Sequence, residues 1–177
     1  MPQTFTLDHD VSCLKCRYNL RTQPATARCP ECGYSVLRSY VHHRAVEGGS
    51  HLAPGEVAPL TAVRVLSQLL GRNVDSIAFV LTAYRRASAK SMPRNIFKRA
   101  QVDAKMICDS IRDYALEHYG SREVALETLR FWKLEKSEDV GKIVFGLVEV
   151  GLLTADGEDL MHDFDGLFTL ETLFDRA

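Results

Sequence analysis

From residue 60 onward, apolar side chains recur every three to four positions, which is the period of a helix with one buried face. Helix-starting and helix-ending residues divide this stretch into five predicted helices. They run from Leu60 to Gly71, from Asp75 to about Tyr84, from Asp103 to Gly120, from about Ser121 to Trp132, and from Ser137 to Gly151. The last has the clearest pattern, with Ser137 as predicted N-cap and acidic residues in the first turn. The pattern predicts a mainly α domain over residues 60–177.

Beyond Gly151 the apolar pattern breaks into short segments. Residues 152–155 and 158–161 flank Asp156-Gly157, a pair typical of a tight β-hairpin turn, and a last short helix is predicted around Leu170. Two helices followed by a hairpin also fit a winged helix. The many acidic residues of this region would repel phosphates, so a winged arrangement favours a protein partner over DNA.

The N-terminal third of the chain is organised differently. Residues 1–37 show no helical period, and residues 38–59 combine a lapse of the apolar pattern with a run rich in Gly, Ser and Pro. We therefore predict a small module at 1–37, a flexible linker at 38–59 and the helical domain at 60–177.

The composition is that of an ordinary folded protein. The 177 residues include 46% hydrophobic side chains, 11 Gly and 6 Pro, which excludes collagenous, low-complexity and wholly disordered chains. No apolar run reaches the roughly 18 residues of a membrane span, and residues 1–10 lack the pattern of a secretory signal. We expect a cytoplasmic protein with no membrane partner, whose paired cysteines serve as metal ligands or redox groups rather than as disulfides.

Four of the five cysteines form two Cys-x-x-Cys pairs with twelve residues between them, namely Cys13, Cys16, Cys29 and Cys32. Two tight turns that each supply two thiolates complete the tetrahedral sulfur site that Zn2+ accepts. Gly33 follows the second pair, where a positive φ is often required, whereas Arg17 follows the first. We expect a structural zinc, because a closed four-cysteine site leaves no coordination position for water or substrate.

Two cysteine-containing segments are familiar. Residues 13–21, Cys-Leu-Lys-Cys-Arg-Tyr-Asn-Leu-Arg, and residues 28–34, Arg-Cys-Pro-Glu-Cys-Gly-Tyr, resemble the short zinc ribbons at the N-termini of many planctomycete proteins. The resemblance covers roughly the first 37 residues. It implies a small β module that holds Zn2+, with no particular activity attached to it.

Three segments of the helical part are also familiar: 77–86 (Ile-Ala-Phe-Val-Leu-Thr-Ala-Tyr-Arg-Arg), 109–120, and above all 137–153 with Asp-Phe-Asp-Gly-Leu-Phe further on. They resemble an uncharacterised family of small proteins from Planctomycetes and Verrucomicrobia. The likeness covers about residues 75–175 and departs at Val140, where the family usually has an aromatic residue. The family has no assigned activity, so the resemblance implies no functional residues.

The net charge of -1 averages over an uneven distribution. Residues 61–105 carry nine basic and two acidic side chains, a net of +7, and residues 106–177 carry seven and sixteen, a net of -9. These halves either neutralise each other in the fold or face separate partners. The basic half supplies the best nucleic-acid candidates, Arg85, Arg86, Arg94, Lys98 and Arg99.

No other motif predicts chemistry. Cys108 lies beside an apolar stripe and is interpreted as a buried structural residue. The linker histidines His42, His43 and His51 are interpreted as solvated, since no ligand recurs near them at zinc spacing. The chain contains no Gly-rich phosphate loop, no Gly-x-Ser-x-Gly and no His-Glu-x-x-His.

The sequence therefore favours a non-enzymatic zinc-binding adaptor in which the ribbon is structural and the helical domain binds a protein partner. The alternative is an RNA- or DNA-binding protein that uses the ribbon and the basic turn at 85–99. The near-neutral charge of the whole chain favours the first, because nucleic-acid binders are usually strongly basic.

Overall fold

The computed structural model describes residues 5–53, 56–91, 102–154 and 162–175, and the described part is mainly helical, as predicted. Its α-helices are α1 (Val36–Glu47), α2 (Pro59–Leu70), α3 (Val74–Lys90), α4 (Ala104–Tyr119), α5 (Arg122–Phe131), α6 (Ser137–Glu149) and α7 (Leu170–Leu173). A 3-10 turn at His162–Phe164 precedes α7. Strand pairing among these residues is limited to isolated antiparallel bridges.

Contacts within the chain divide it into two compact units. Unit 1 contains residues 1–72 and 146–154, and unit 2 contains residues 73–145 and 155–177. This division is not the one expected from the sequence, since residues 38–72 and the end of α6 belong with the cysteine-containing segment.

Helix α1 lies in the segment predicted to be a flexible linker, and that prediction is wrong for residues 38–47. The helix is capped by Ser35, whose Oγ accepts a hydrogen bond from the N–H of Arg38 at 3.2 Å. Val41 and Ala45 are buried, but polar residues surround them in the sequence, so no clear apolar stripe is visible. The local signals of this helix are therefore limited to its ends, Ser35 and Gly48.

Helix α2 follows within unit 1 and packs against α1. Pro59 occupies its first turn, and Gly71 ends it in the left-handed conformation with φ 60°. The side chain of Leu66 is fully buried and lies so close to Gly146 that a Cβ at position 146 would stand 3.0 Å from Leu66 Cδ2. A glycine at 146 therefore permits this close packing.

Helix α4 is the centre of unit 2 and contacts α3, α5 and the 3-10 turn. Its buried face includes Ile107, Ile111 and Ala115, as the sequence predicted. The predicted cap Asp103 accepts the N–H of Met106 at 2.7 Å. Helix α3, in contrast, is capped by Asn73 instead of Asp75: its Oδ1 accepts the Asp75 N–H at 2.8 Å.

The predicted role of Ser137 as an N-cap is wrong. Ser137 is the first residue of α6 and is fully buried, and its Oγ accepts the N–H groups of Leu167 at 3.0 Å and Phe168 at 3.3 Å. The hydroxyl therefore fixes the chain that leads into α7 instead of the start of its own helix. The carboxylate of Asp139 accepts the N–H of Glu135 at 3.2 Å beside this point.

The predicted hairpin and its Asp156-Gly157 turn lie outside the described residues, so the winged-helix alternative stays a prediction. Among the helices that the structure describes, none combines the length and the apolar character needed to cross a membrane.

Candidate metal centre

Two turns of the same design bring the four paired cysteines together in unit 1. In the first, the N–H of Cys13 donates to the carbonyl of Tyr18 at 2.9 Å, and the N–H of Arg17 donates to the carbonyl of Cys13 at 3.0 Å. An antiparallel bridge between Ser12 and Asn19 closes its base. We call this loop the first cysteine turn.

The second cysteine turn repeats this arrangement. The N–H of Cys29 donates to the carbonyl of Tyr34 at 2.7 Å, and the N–H of Gly33 donates to the carbonyl of Cys29 at 2.9 Å. Its base is closed by a bridge between Arg28 and Ser35. Each cysteine pair therefore lies in a hydrogen-bonded loop that presents two sulfurs on the same side.

The two turns differ in the residue that follows the second cysteine. Gly33 has a φ of 70° and Arg17 has a φ of 66°, so both adopt the left-handed conformation. For a residue with a Cβ this conformation costs about 1–2 kcal/mol, which glycine avoids. The missing glycine noted in the sequence therefore did not change the turn; Arg17 adopts the conformation at a cost.

The sulfur atoms are spaced as a single metal ion requires. Cys13 Sγ lies 3.5 Å from Cys32 Sγ, and Cys16 Sγ lies 3.6 Å from Cys29 Sγ. All four sulfurs lie within 4.8 Å of one another. Tetrahedral ligands at the Zn–S distance of about 2.3 Å would be about 3.8 Å apart, so the four residues are arranged to hold a metal ion.

The acidity of these thiols reflects their crowding. Burial acts to raise the pKa of Cys13, but hydrogen bonds from the backbone N–H groups of Cys16 and Lys15 outweigh it and lower the pKa to about 7. The N–H of Tyr18 acts to lower the pKa of Cys16, yet burial and the neighbouring thiols raise it to about 12. One sulfur is therefore readily ionised and another resists ionisation, because four negative charges this close need a cation between them.

Each cysteine turn is held by a different anchor. The N–H of Leu14 in the first turn donates to the Oγ of Ser39, a buried residue of α1, at 3.3 Å. At the second turn, the Arg28 guanidinium pairs with the carboxylate of Glu149 at 2.8 Å. The positive charge of Arg28 is therefore paired with a carboxylate of the same unit.

The predicted nucleic-acid residues are only partly visible. Arg94, Lys98 and Arg99 lie outside the described residues. Of the other two, Arg85 is exposed on α3, and Arg86 lies with its Cζ 5.1 Å from the centroid of the Tyr114 ring. No basic surface can be assembled from these two positions alone.

Ion pairs between α3 and α4 join basic residues of the 61–105 half to acidic residues of the 106–177 half. Arg86 pairs with Glu117, and Lys90 Nζ lies 3.2 Å from Asp113 Oδ2. Burial acts to raise the pKa of Asp113, but hydrogen bonds from Arg112 and Lys90 outweigh it and hold the pKa below its usual value. At this contact the basic and acidic halves of the sequence neutralise each other inside unit 2.

Unit 2 also contains an aromatic cluster that the sequence analysis did not identify. The ring centroid of Phe79 lies 4.7 Å from that of Tyr114, in a stacked arrangement, and 5.3 Å from that of Trp132, in a tilted one. Tyr119 lies 6.3 Å from both Phe79 and Trp132. These rings come from α3, α4 and the end of α5, so only the folded unit assembles them.

The cluster lines an open cavity of about 270 Å3, the aromatic cavity, with the exposed carboxylate of Asp75 among its walls. Burial raises the pKa of the Tyr119 hydroxyl, and the nearby Tyr114 and Asp75 add to the effect. The phenol therefore stays protonated at neutral pH. The cavity combines aromatic faces with one negative charge, which suits a cationic side chain.

The linker histidines are not all solvated as expected. His43 lies on α1, and its Nδ1 is buried without a hydrogen-bond partner in the described structure. It approaches His9 and Glu47, a grouping that the sequence analysis missed because α1 itself was missed. A helical assignment would have placed His43 and Glu47 on one face, four residues apart.

No protein-family model, no curated protein and no solved structure matches this chain. The two family resemblances seen in the sequence stay predictions.

Proposed function

We propose that the four-cysteine centre binds one structural Zn2+ and that the protein is a non-enzymatic adaptor whose helical part binds a protein partner through the aromatic cavity. The observation that carries the adaptor role is the cavity itself. It offers aromatic anchors beside a carboxylate on an open surface, the composition in which binding energy is usually concentrated.

The donor chemistry supports zinc. Four sulfurs within 4.8 Å, on two hydrogen-bonded turns, form a closed set with no position for a substrate. Such a site adds stability to a module with few large buried side chains. Because thiolates persist in a reducing compartment, the proposal includes the cytoplasmic location expected from the sequence.

The proposed occupant of the aromatic cavity is a lysine or arginine side chain of the partner. Arg86 of the same chain already lies over the Tyr114 ring, so a ring of this cluster accepts a guanidinium in the folded protein. The exposed Asp75 carboxylate would pair with the incoming charge, and the ring of Trp132 would cover its aliphatic part.

The experiment is affinity capture from nuclease-treated native lysate with the full-length protein, compared among three variants. Asp75→Asn removes the charge of the cavity, and Trp132→Ala removes an aromatic wall. Glu127→Gln is the matched control, because Glu127 is an exposed carboxylate on α5 that does not line the cavity. Circular dichroism and zinc content verify that each variant folds.

We expect wild type and Glu127→Gln to recover the same stoichiometric protein. We expect the affinity for that protein to fall by about tenfold in Asp75→Asn and by thirtyfold or more in Trp132→Ala, since removing a central aromatic anchor typically costs at least about 2 kcal/mol. Equal recovery by all variants, or no stoichiometric protein at all, would contradict the adaptor proposal.

The nucleic-acid alternative stays a prediction, and the same capture without nuclease tests it. Recovery of RNA or DNA that weakens with salt and disappears on reversing the charges of Arg94, Lys98 and Arg99 would favour it. The pairing of Arg86 and Lys90 with acidic residues of α4 counts against a basic surface on α3.

A further inference from the structure

A second group of metal-ligating side chains lies in unit 1, apart from the cysteines. It consists of His9, from the N-terminal segment, and of His43 and Glu47, which are one helical turn apart on α1. One nitrogen of each imidazole and one carboxylate oxygen lie within 4.8 Å of one another. His43 Nδ1 is 3.5 Å from Glu47 Oε2, and the two imidazole rings have centroids 5.7 Å apart.

Each of the two imidazoles of this group has one buried nitrogen that makes no hydrogen bond to any residue that the structure describes. His9 Nε2 and His43 Nδ1 are buried from solvent and make no hydrogen bond in the part of the chain that the structure describes. Removing such atoms from water without giving them a hydrogen bond is unfavourable. Both atoms belong to residues of the same cluster, so one ligand placed among them would satisfy both.

The orientation of His9 suits a metal ligand. Its Nδ1 lies 2.7 Å from Asp8 Oδ1, and the Nδ1–H group donates a hydrogen bond to this carboxylate. The proton on Nδ1 leaves the lone pair on Nε2, which is the unpaired atom. A carboxylate that orients a histidine in this way is the usual outer partner of metal-bound imidazole.

We propose that His9, His43 and Glu47 form a second metal site, with Nε2 of His9, Nδ1 of His43 and a Glu47 oxygen as ligands. Two imidazoles and a carboxylate select divalent transition metals such as Zn2+ over the hard cations Mg2+ and Ca2+. Three protein ligands leave a coordination position open. Unlike the four-cysteine centre, this site would therefore exchange its metal and accept a ligand from solution.

Arg44 sets the strength of this site. Its Nη1 lies 3.6 Å from the same Glu47 oxygen that faces His43, so the guanidinium competes with a metal for that carboxylate. Tyr40 also lies near His9 and presents an uncharged ring, with the two ring centroids 5.9 Å apart. Removing the charge at Arg44 should therefore tighten metal binding, which a chance pair of surface histidines would not predict.

The test is zinc titration of the untagged full-length protein by calorimetry, after dialysis that leaves the cysteine-bound metal in place. Elemental analysis establishes the metal content before titration. We expect one further equivalent of Zn2+ to bind in wild type. His43→Ala and His9→Gln should lose it, Asp8→Asn should weaken it by about 10–100-fold, and Arg44→Gln should strengthen it.

His42→Ala and His51→Ala are the matched controls and should bind the further equivalent as wild type does. In 15N spectra of the histidine side chains, Zn2+ should shift His9 Nε2 and His43 Nδ1, whereas Mg2+ should not. Absence of a further equivalent, or its retention in His43→Ala, would overturn the proposal. Loss of the further equivalent in His42→Ala to the same extent as in His43→Ala would also overturn it. In every variant, the amount of cysteine-bound metal reports whether the protein is folded.

Discussion

The two cysteine turns share a hydrogen-bond pattern and the spacing Cys-x-x-Cys-x-Tyr, but they differ in the residue that follows the second cysteine. Both close with the same pair of backbone bonds, and both place the residue after the second cysteine at a φ near 70°. One uses Gly33, which adopts this φ freely, and the other uses Arg17, which does not. The comparison teaches that the hydrogen bonds of the folded turn can hold a residue in a left-handed conformation that it does not itself favour.

The strongest way to break this comparison is to remove one sulfur from either turn. We expect Cys13→Ser and Cys29→Ser to lose the metal completely, because a hydroxyl is a poor replacement for a thiolate in a four-sulfur site. The binding free energy of a structural zinc, about 10 kcal/mol or more, would be lost with it. Zinc content and hydrogen exchange at the amides of Leu7 and Leu20 measure the outcome.

Cys13→Ser and Cys29→Ser should lose the metal to the same extent, because both turns bind the same ion. Cys108→Ser is the matched control, since Cys108 lies on α4 in unit 2 and its replacement should leave the cysteine-bound zinc at one equivalent. Retention of the metal in Cys13→Ser together with its loss in Cys29→Ser would show that the turns are not equivalent.

A smaller effect is expected from Gly33→Ala. A Cβ at this position would meet no atom within 4 Å, so the cost arises from the left-handed conformation alone. We expect the free energy of zinc binding to weaken by about 1–2 kcal/mol. This corresponds to a roughly five- to thirtyfold lower zinc affinity, measured in competition with a chelator. An unchanged affinity would mean that the backbone of the second turn relaxes without glycine.

The opposite change, Arg17→Gly, should strengthen the first turn. Glycine removes the strain of the left-handed conformation, and the flexibility that it adds to the unfolded chain offsets part of the gain. We expect a net gain of about 0.5–1 kcal/mol, measured by the same chelator competition. Arg17→Ala is the control, because it removes the charge and keeps the strain; an equal gain in Arg17→Ala would assign the effect to charge.

The sequence was sufficient for the four cysteines and not for the conformation of Arg17. Spacing alone predicts that two Cys-x-x-Cys pairs converge, because few backbone arrangements satisfy it, and the structure brings the sulfurs within 4.8 Å. A positive φ at an arginine has no local signature. It results from the hydrogen bond of the Arg17 N–H to Cys13, which only the folded turn makes.

Helix α1 could have been predicted from its ends but not from its middle. Ser35 and Gly48 are ordinary start and stop signals, yet Val41 and Ala45 lie among histidines and arginines that mask the apolar face. The grouping of His9, His43 and Glu47 depends on this helix. Without α1, the spacing of His43 and Glu47 has no meaning, and the contact with His9 depends on tertiary structure that no local pattern encodes.

The helices of unit 2 illustrate the opposite case. Ile107 and Ile111 recur with a clear helical period between Asp103 and Gly120, and these two residues are the N-cap and the C-cap of α4. The aromatic cavity was nevertheless missed, since its walls come from separate helices and each ring taken alone resembles an ordinary core residue.

The smallest effect concerns the anchor of the second cysteine turn, and Arg28→Gln tests it. The Arg28–Glu149 pair is partly exposed, with 58% of the Arg28 side chain accessible, so solvent screens it. We therefore expect the free energy of zinc binding to weaken by only about 0.2–1 kcal/mol. The loss should shrink as salt is raised, because screening weakens the pair in wild type alone. Arg21→Gln, which breaks a looser exposed pair at 3.7 Å, is the control and should change zinc affinity less. An effect of Arg28→Gln that is large and independent of salt would instead mean that the guanidinium acts on the thiolates directly, and that the two turns differ in electrostatics as well as in backbone strain.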